Sequence, residues 1–301
     1  MIKNSLNKKS FMLFKFIPIF SFIFLFINNC NGDFIQRTLA STRNATFSIL
    51  FPSDRLKGMP YPVGTGFFVS PDGWFITAAH VITKNGKPDG PIRDDFNNAE
   101  LLTERTPGHI SRGCKSLFLK YVNSNLDFAL IKVDFDANKN REWLKNKTSF
   151  PYITVSSRPL NVAESVYSFG YPLSEGNLLV NNEQMTMGTI SLCPRVTPAI
   201  ISSTLYKTSM FMSSKDTKQY VLDRALNYGN SGGPIVAVKT GNVHAFCSRF
   251  QEVFIPQEHL KDQNGKIISV MIPSLYGVVI SLGNDEILGK LKEYNIPIST
   301  R

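Results

Sequence analysis

Cysteine, histidine and tryptophan are scarce in this chain of 301 residues: four, four and two. The cysteines form no Cys-x-x-Cys pair, and no His-Glu-x-x-His stretch exists, so neither common zinc pattern is present. No metal and no cofactor is expected. After Cys30, the odd set Cys114, Cys193 and Cys247 permits at most one disulfide, and spacing gives no pairing. Charge is also sparse, with 19% charged residues and a net +10. Four of the lysines (Lys3, Lys8, Lys9, Lys15) sit in an N-terminal stretch without acids. The rest are scattered, with no basic-aromatic patch, so a nucleic-acid partner is not expected.

Long apolar runs are absent too. The longest, Phe16 to Ile27, is interrupted by Pro18 and Ser21. It is short for a bilayer span and suits the apolar core of a secretion signal. Extension back to Phe11 leaves an uncleaved anchor as the alternative. Cys30 follows directly, where a lipid-attachment cysteine would lie, although Asn28 and Asn29 replace the usual small residues. Lipidation and plain secretion are both open. Membrane contact is expected only through such an N-terminal lipid anchor. The address is exported: periplasm, cell envelope or secreted. No internal repeat or low-complexity tract occurs.

What the chain has instead is short β-rich runs separated by turns. Phe47–Phe51, Gly66–Ser70, Trp74–Thr77, Leu117–Val122 and Phe128–Val133 form one set. Ser165–Phe169, Met185–Leu192, Ile200–Tyr206, Lys218–Leu222, Ile235–Val238, Val243–Phe250, Ile267–Ile272 and Tyr276–Leu282 form another. Lys84–Gly113 and Glu252–Lys266 look like inserted loops, the second ending in the hairpin signal Asn264-Gly265. Asn284 is placed to cap a closing helix through Glu293, with Ile287, Leu288 and Leu291 at helical spacing. The expected fold is all-β, two six-stranded antiparallel barrels with a short C-terminal helix, because closure removes exposed edges. Expected boundaries are 1–29 signal, 30–44 linker, 45–150 first lobe and 151–295 second lobe.

Chemistry concentrates in Gly229-Asn230-Ser231-Gly232-Gly233-Pro234. A serine hydroxyl between glycines is a weak nucleophile unless a base takes its proton. His80 closes an apolar run upstream, and Asp127 lies between the two. Gly229-x-Ser231-x-Gly233 also fits the nucleophile elbow of α/β-hydrolases, where acid and histidine follow the serine. Only His244 and His259 follow here, with Asp262 after both, and no histidine follows Asp285. The order His80, Asp127, Ser231 fits the alternative triad order. Taken alone, His80 could be a hydrogen-bonded core histidine and Asp127 a solvated strand acid, with Asp134 and Asp136 as rivals. His109, His244 and His259 lack any such context and are read as structural or exposed.

Gly64-Thr65-Gly66 through Thr77-Ala78-Ala79-His80, Leu126 to Val133, Gly170-Tyr171-Pro172, Met187 to Ser191 and Asp223 to Pro234 occur in one order. Together they resemble the boxes of trypsin-like serine peptidases, above all the bacterial HtrA/Deg type. The resemblance covers roughly residues 45 to 290. It implies His80 as general base, Asp127 as its orienting acid and Ser231 as nucleophile. It implies an oxyanion hole from the N–H groups of Gly229 and Ser231. Ala225 would floor the primary pocket and so deny a counter-charge to Lys or Arg. Asn230 and the absence of an Ile-Val-Gly-Gly start argue against activation by a new N-terminus. Little chain remains after the closing helix, so no PDZ module is expected. Val81 stands where many animal relatives carry a cysteine. The implied activity is an exported serine endopeptidase acting on protein or peptide substrates through an acyl-enzyme. The rival readings are a catalytically inactive protease fold used for binding, and an envelope structural protein.

Overall fold

A computed structural model describes residues 32, 34–52, 60–106, 109–136, 140–141, 144, 147–172, 178–181, 184–187, 194–207, 217–261, 264–265 and 267–301. Residues 34–40 are helical and form a unit of their own with the preceding chain. The other unit runs from Ser41 to Arg301.

Its first lobe is a seven-stranded antiparallel sheet. The strands are β1 (Thr46–Pro52), β2 (Pro60–Phe68), β3 (Trp74–Ala78), β4 (Glu100–Thr106), β5 (His109–Arg112), β6 (Leu117–Asn123) and β7 (Phe128–Val133), in the order β5-β4-β1-β2-β3-β7-β6. β4 and β5 lie inside the segment expected to be an inserted loop. Their pairing to β1 through Ser48↔Leu102 extends the sheet where the sequence alone shows mixed polar residues. The β-branched and aromatic residues of β1, β2 and β3 point into an aromatic core. Phe68 stacks on Phe150 at 4.6 Å and meets Phe75 and Phe47 edge-on at 5.0 and 5.3 Å. Each such ring, fully buried, contributes roughly 1.5–3 kcal/mol of hydrophobic stabilisation.

The second lobe holds β8 (Val155–Ser156), β9 (Ser165–Gly170), β12 (Arg195–Lys207), β13 (Thr217–Leu222), β14 (Pro234–Ala237), β15 (Val243–Lys261), β16 (Ile267–Ser281) and β17 (Ile298–Ser299), with the separate hairpin β10 (Leu178–Asn181) and β11 (Gln184–Met187) between. The run β14-β9-β12-β13-β16-β15 closes on itself, because β15 also pairs with β14. That ring is a closed six-stranded antiparallel barrel, filled by Val166, Ile201, Tyr220, Leu222, Ile235, Cys247 and Val279 among others. Among the described helices of the unit are α1 (Ala79–Ile82) and α2 (Asp285–Glu293). The mostly-strand content, the closed barrel, the second sheet and the C-terminal helix are those of the chymotrypsin-like fold.

Two local readings differ from expectation. Glu252–Lys266 is not a loop: β15 and β16 run on as a paired ribbon, with Val253↔Ile272 and Ile255↔Val270 in register, turned by Asn264-Gly265. Val253, Phe254 and Ile255 carry the β-propensity that the polar residues after them obscured. Asn284 does sit at the start of α2, but its side chain makes no cap. Its amide instead accepts from Lys218 N at 2.7 Å and donates to Ser281 O at 2.7 Å, which ties the helix entry to β13 and β16.

The seam between the lobes is polar and specific. Thr65 holds it: its N–H donates to Ser231 O at 2.8 Å and its hydroxyl to Gly229 O at 2.6 Å. The same hydroxyl accepts from Tyr171 N, and Thr65 O accepts from Thr77 Oγ1 at 2.7 Å. α2 is pinned to the first lobe by Glu286, which accepts from Tyr121 and Asn123.

Candidate active site

The cleft between the lobes, about 730 Å³, is lined by His80, Asp127, Gly229 and Ser231, and beyond them by Leu226, Cys247 and Arg249. Three expected residues far apart in the chain therefore meet in one cavity. His80 sits in α1, one turn of helix directly after β3. Strand-to-helix transition lifts its ring off the sheet, leaving the side chain 20% exposed. Asp127 is not inside a strand, as first read. It lies in the β6–β7 hairpin with φ +48, in the left-handed region that Asp tolerates better than most residues. Its own N–H bonds to Ser124 O, and its carbonyl accepts from Ala79 N at 2.9 Å.

That conformation points the carboxylate under the histidine. His80 Nδ1 lies 2.8 Å from Asp127 Oδ2, and the His80 backbone N–H donates to Oδ1 at 2.9 Å. A third donor was not found by sequence reasoning: Ser248 Oγ donates to Oδ2 at 2.7 Å. Three donors on a nearly buried carboxylate offset its loss of water. Only its place one residue after Cys247, on a strand opposite the serine turn, could have singled out Ser248.

The serine turn is a type II β-turn. Asn230 N–H closes on Asn227 O at 3.1 Å, and Gly229, the third residue of the four from Asn227 to Asn230, has φ +92. The N–H groups of Asn230, Gly232 and Gly233 are bonded to Asn227 O, Cys247 O and Asn230 O. Those of Gly229 and Ser231 have no partner among the described residues. Glycine at 229 permits this orientation of the preceding peptide; a side chain there would favour the flipped turn. Ser231 Oγ donates to Ser248 O at 3.4 Å.

Ala225 is half-buried and is not among the lining residues; its neighbour Leu226 is, with Cys247 and Ile280. Burial pushes the Cys247 thiol above its ordinary value, so it lines the cleft as a neutral group. His244 is buried, with Nδ1 on Arg158 O at 2.8 Å, and desolvation lowers its pKa. It belongs to the scaffold. Cys30, Cys193 and the stretch 188–191 lie outside the described residues. No group of metal-binding side chains occurs among the described residues.

Fold and cleft together define a protein of the chymotrypsin-like class. A model of the trypsin-like peptidase domain matches residues 64–245, and the chain belongs to that family. It is 28% identical to serine protease HTRA1 of Xenopus laevis over 179 residues, 59% of this chain and 29% of that protein. It is 24% identical to an uncharacterized protein, y4bJ of Sinorhizobium fredii, over 79% of this chain and 30% of that one. The chain thus spans about 30% of the length of these curated relatives. Among solved structures it resembles an HtrA-type protease, AlgW, with a tripeptide. The TM-score is 0.51 at 18% identity, over 87% of this chain and 64% of that one.

Proposed function

We propose that this protein is an exported serine endopeptidase that cleaves peptide bonds through an acyl-enzyme. One observation carries the reading: His80, Asp127 and Ser231 converge on a single cleft, with the histidine bonded to the aspartate at 2.8 Å. With Nδ1–H committed to Asp127, the other ring nitrogen is free to accept a proton. Proton transfer requires the Ser231 hydroxyl to leave Ser248 O for that nitrogen. His80 takes its proton as Oγ attacks the scissile carbonyl, then delivers it to the departing amine. The N–H groups of Gly229 and Ser231, without a partner among the described residues, stabilise the oxyanion. Water, activated by the same imidazole, then releases the acid and restores the serine.

The pocket reading follows from the lining. Leu226, Cys247 and Ile280 offer apolar walls and no counter-charge, and Ala225 beside them supplies none. A buried lysine or arginine would be left unpaired there at considerable cost. Cleavage-site profiling with a peptide library is expected to show small or aliphatic residues before the scissile bond. Discrimination should be modest, since a methylene difference is worth about 1–3 kcal/mol. A dominant Lys or Arg signature that Ser231→Ala abolishes would overturn this pocket.

Export rests on residues 1–29, which lie outside the described residues. Among the described residues no helix is long and apolar enough to cross a membrane. Intact-mass measurement of protein from the producing cell's envelope is expected to show a chain starting at or shortly after Cys30. An acyl mass on Cys30 marks a lipoprotein; retention of Met1 to Asn29 would mark an uncleaved anchor instead.

A further inference from the structure

We propose that Arg249 recognises an acidic side chain of the substrate within three residues of the scissile bond, so that acidic segments are cleaved in preference. This rests on the peptidase reading above. Beside His80, the described lining of the cleft holds three charged side chains: Asp89, Asp127 and Arg249. Histidine and Asp127 are committed to each other. Asp89 stands exposed on the first-lobe loop at the rim. Arg249 is exposed and forms no salt bridge among the described residues. Its one side-chain bond is weak: Nη2 donates to Gln219 Oε1 at 3.4 Å.

Gln219 is 3% exposed, so the acceptor beside one edge of the guanidinium is itself fixed. The remaining N–H groups are left for a ligand. A guanidinium presents a planar fork that fits a carboxylate in two parallel hydrogen bonds. Placement makes the site relevant to cleavage. Arg249 directly follows Ser248, whose carbonyl accepts from Ser231 Oγ and whose hydroxyl supports Asp127. If the apolar lining of Leu226, Cys247 and Ile280 takes the residue next to the scissile bond, the exposed Arg249 is left for a neighbouring one. A cation merely solvated on the surface would need neither the buried glutamine nor this position.

The test uses three randomised hexapeptide libraries, with a fixed Glu, Gln or Lys at the same position. Affinity is measured for the full-length Ser231→Ala protein, and hydrolysis for the wild type. The Glu library is expected to bind about tenfold more tightly at low salt, and less so as salt rises. Arg249→Gln should erase the difference, Arg249→Glu should shift preference to a fixed Lys, and Arg249→Lys should keep part of it. Equal affinity for the Glu and Gln libraries in the parent protein, or a Glu preference that survives Arg249→Gln, overturns the proposal. Hydrolysis without a Glu preference overturns it alone; a Glu preference in binding without any hydrolysis overturns the peptidase reading and leaves Arg249 as an acid-binding residue.

Discussion

Ser231→Ala and His80→Ala are each expected to lower peptide hydrolysis by about 10⁴-fold or more and to leave the protein folded, with Asp127→Asn expected to do nearly as much damage. The size reflects a lost step rather than a weakened one: without Oγ there is no acyl-enzyme, and without the imidazole no proton acceptor. Folding should survive for reasons visible in the contacts. The Ser231 hydroxyl makes one long bond, 3.4 Å to Ser248 O. Removal of the His80 ring leaves Asp127 with two donors, the His80 backbone N–H and Ser248 Oγ. The carboxylate is therefore not stranded. Circular dichroism and an initial-rate assay on the same samples check both halves. Full turnover in folded His80→Ala would contradict the assignment of the base.

Gly232→Ala is expected to fail in a different way, by breaking the seam that builds the site. A β-carbon at this position would sit 2.2 Å from Thr65 O, 2.3 Å from Thr77 Oγ1 and 2.8 Å from Ala78 N. Two of the three obstacles are backbone, so no side-chain rotation relieves them. The backbone is also at φ +82, which an alanine adopts only with strain. Relief would require the serine turn to move away from β2 and β3, and Ala78 immediately precedes the helix that carries His80. A loss of about 3 kcal/mol or more corresponds to a fall in Tm of about 6–12 °C for a domain of this size. Gly289→Ala in α2, where no atom lies within 4 Å, is the control and should be neutral to stabilising. Wild-type Tm and activity in Gly232→Ala would refute this account of the seam.

The parts legible in the sequence are those whose local chemistry leaves few options. A serine turn of three glycines, a histidine ending an apolar strand and short strands with turn punctuation each restrict the backbone by themselves. β7 and the Asn264-Gly265 turn emerge where a β-rich run and turn residues predict them. Asp127 was identified, but not its left-handed hairpin conformation, because that is set by Ala79 N–H holding its carbonyl across the sheet. Thr65, Ser248 and Gln219 were invisible for a related reason. Their roles arise from partners distant in sequence: Ser248 and Asp127 are separated by 121 residues, Thr65 and Gly229 by 164, Gln219 and Arg249 by 30. Of the residues flanking Ser248, only the neighbouring Cys247 offers a mark. The ribbon beyond Phe250 was misread because polar residues on a paired strand look like a loop until the partner strand is placed beside it. Asn284 shows a true helix start with the wrong partner: its amide found β13 rather than its own helix.

The central claim is that Ser231 is a nucleophile activated by His80. The most direct test is intact-mass and peptide-mass measurement after treatment with a fluorophosphonate. One covalent adduct on Ser231 is expected in the wild type, abolished in Ser231→Ala and slowed by orders of magnitude in His80→Ala. A folded wild-type protein that takes no adduct, or takes it on a residue other than Ser231, would contradict the claim.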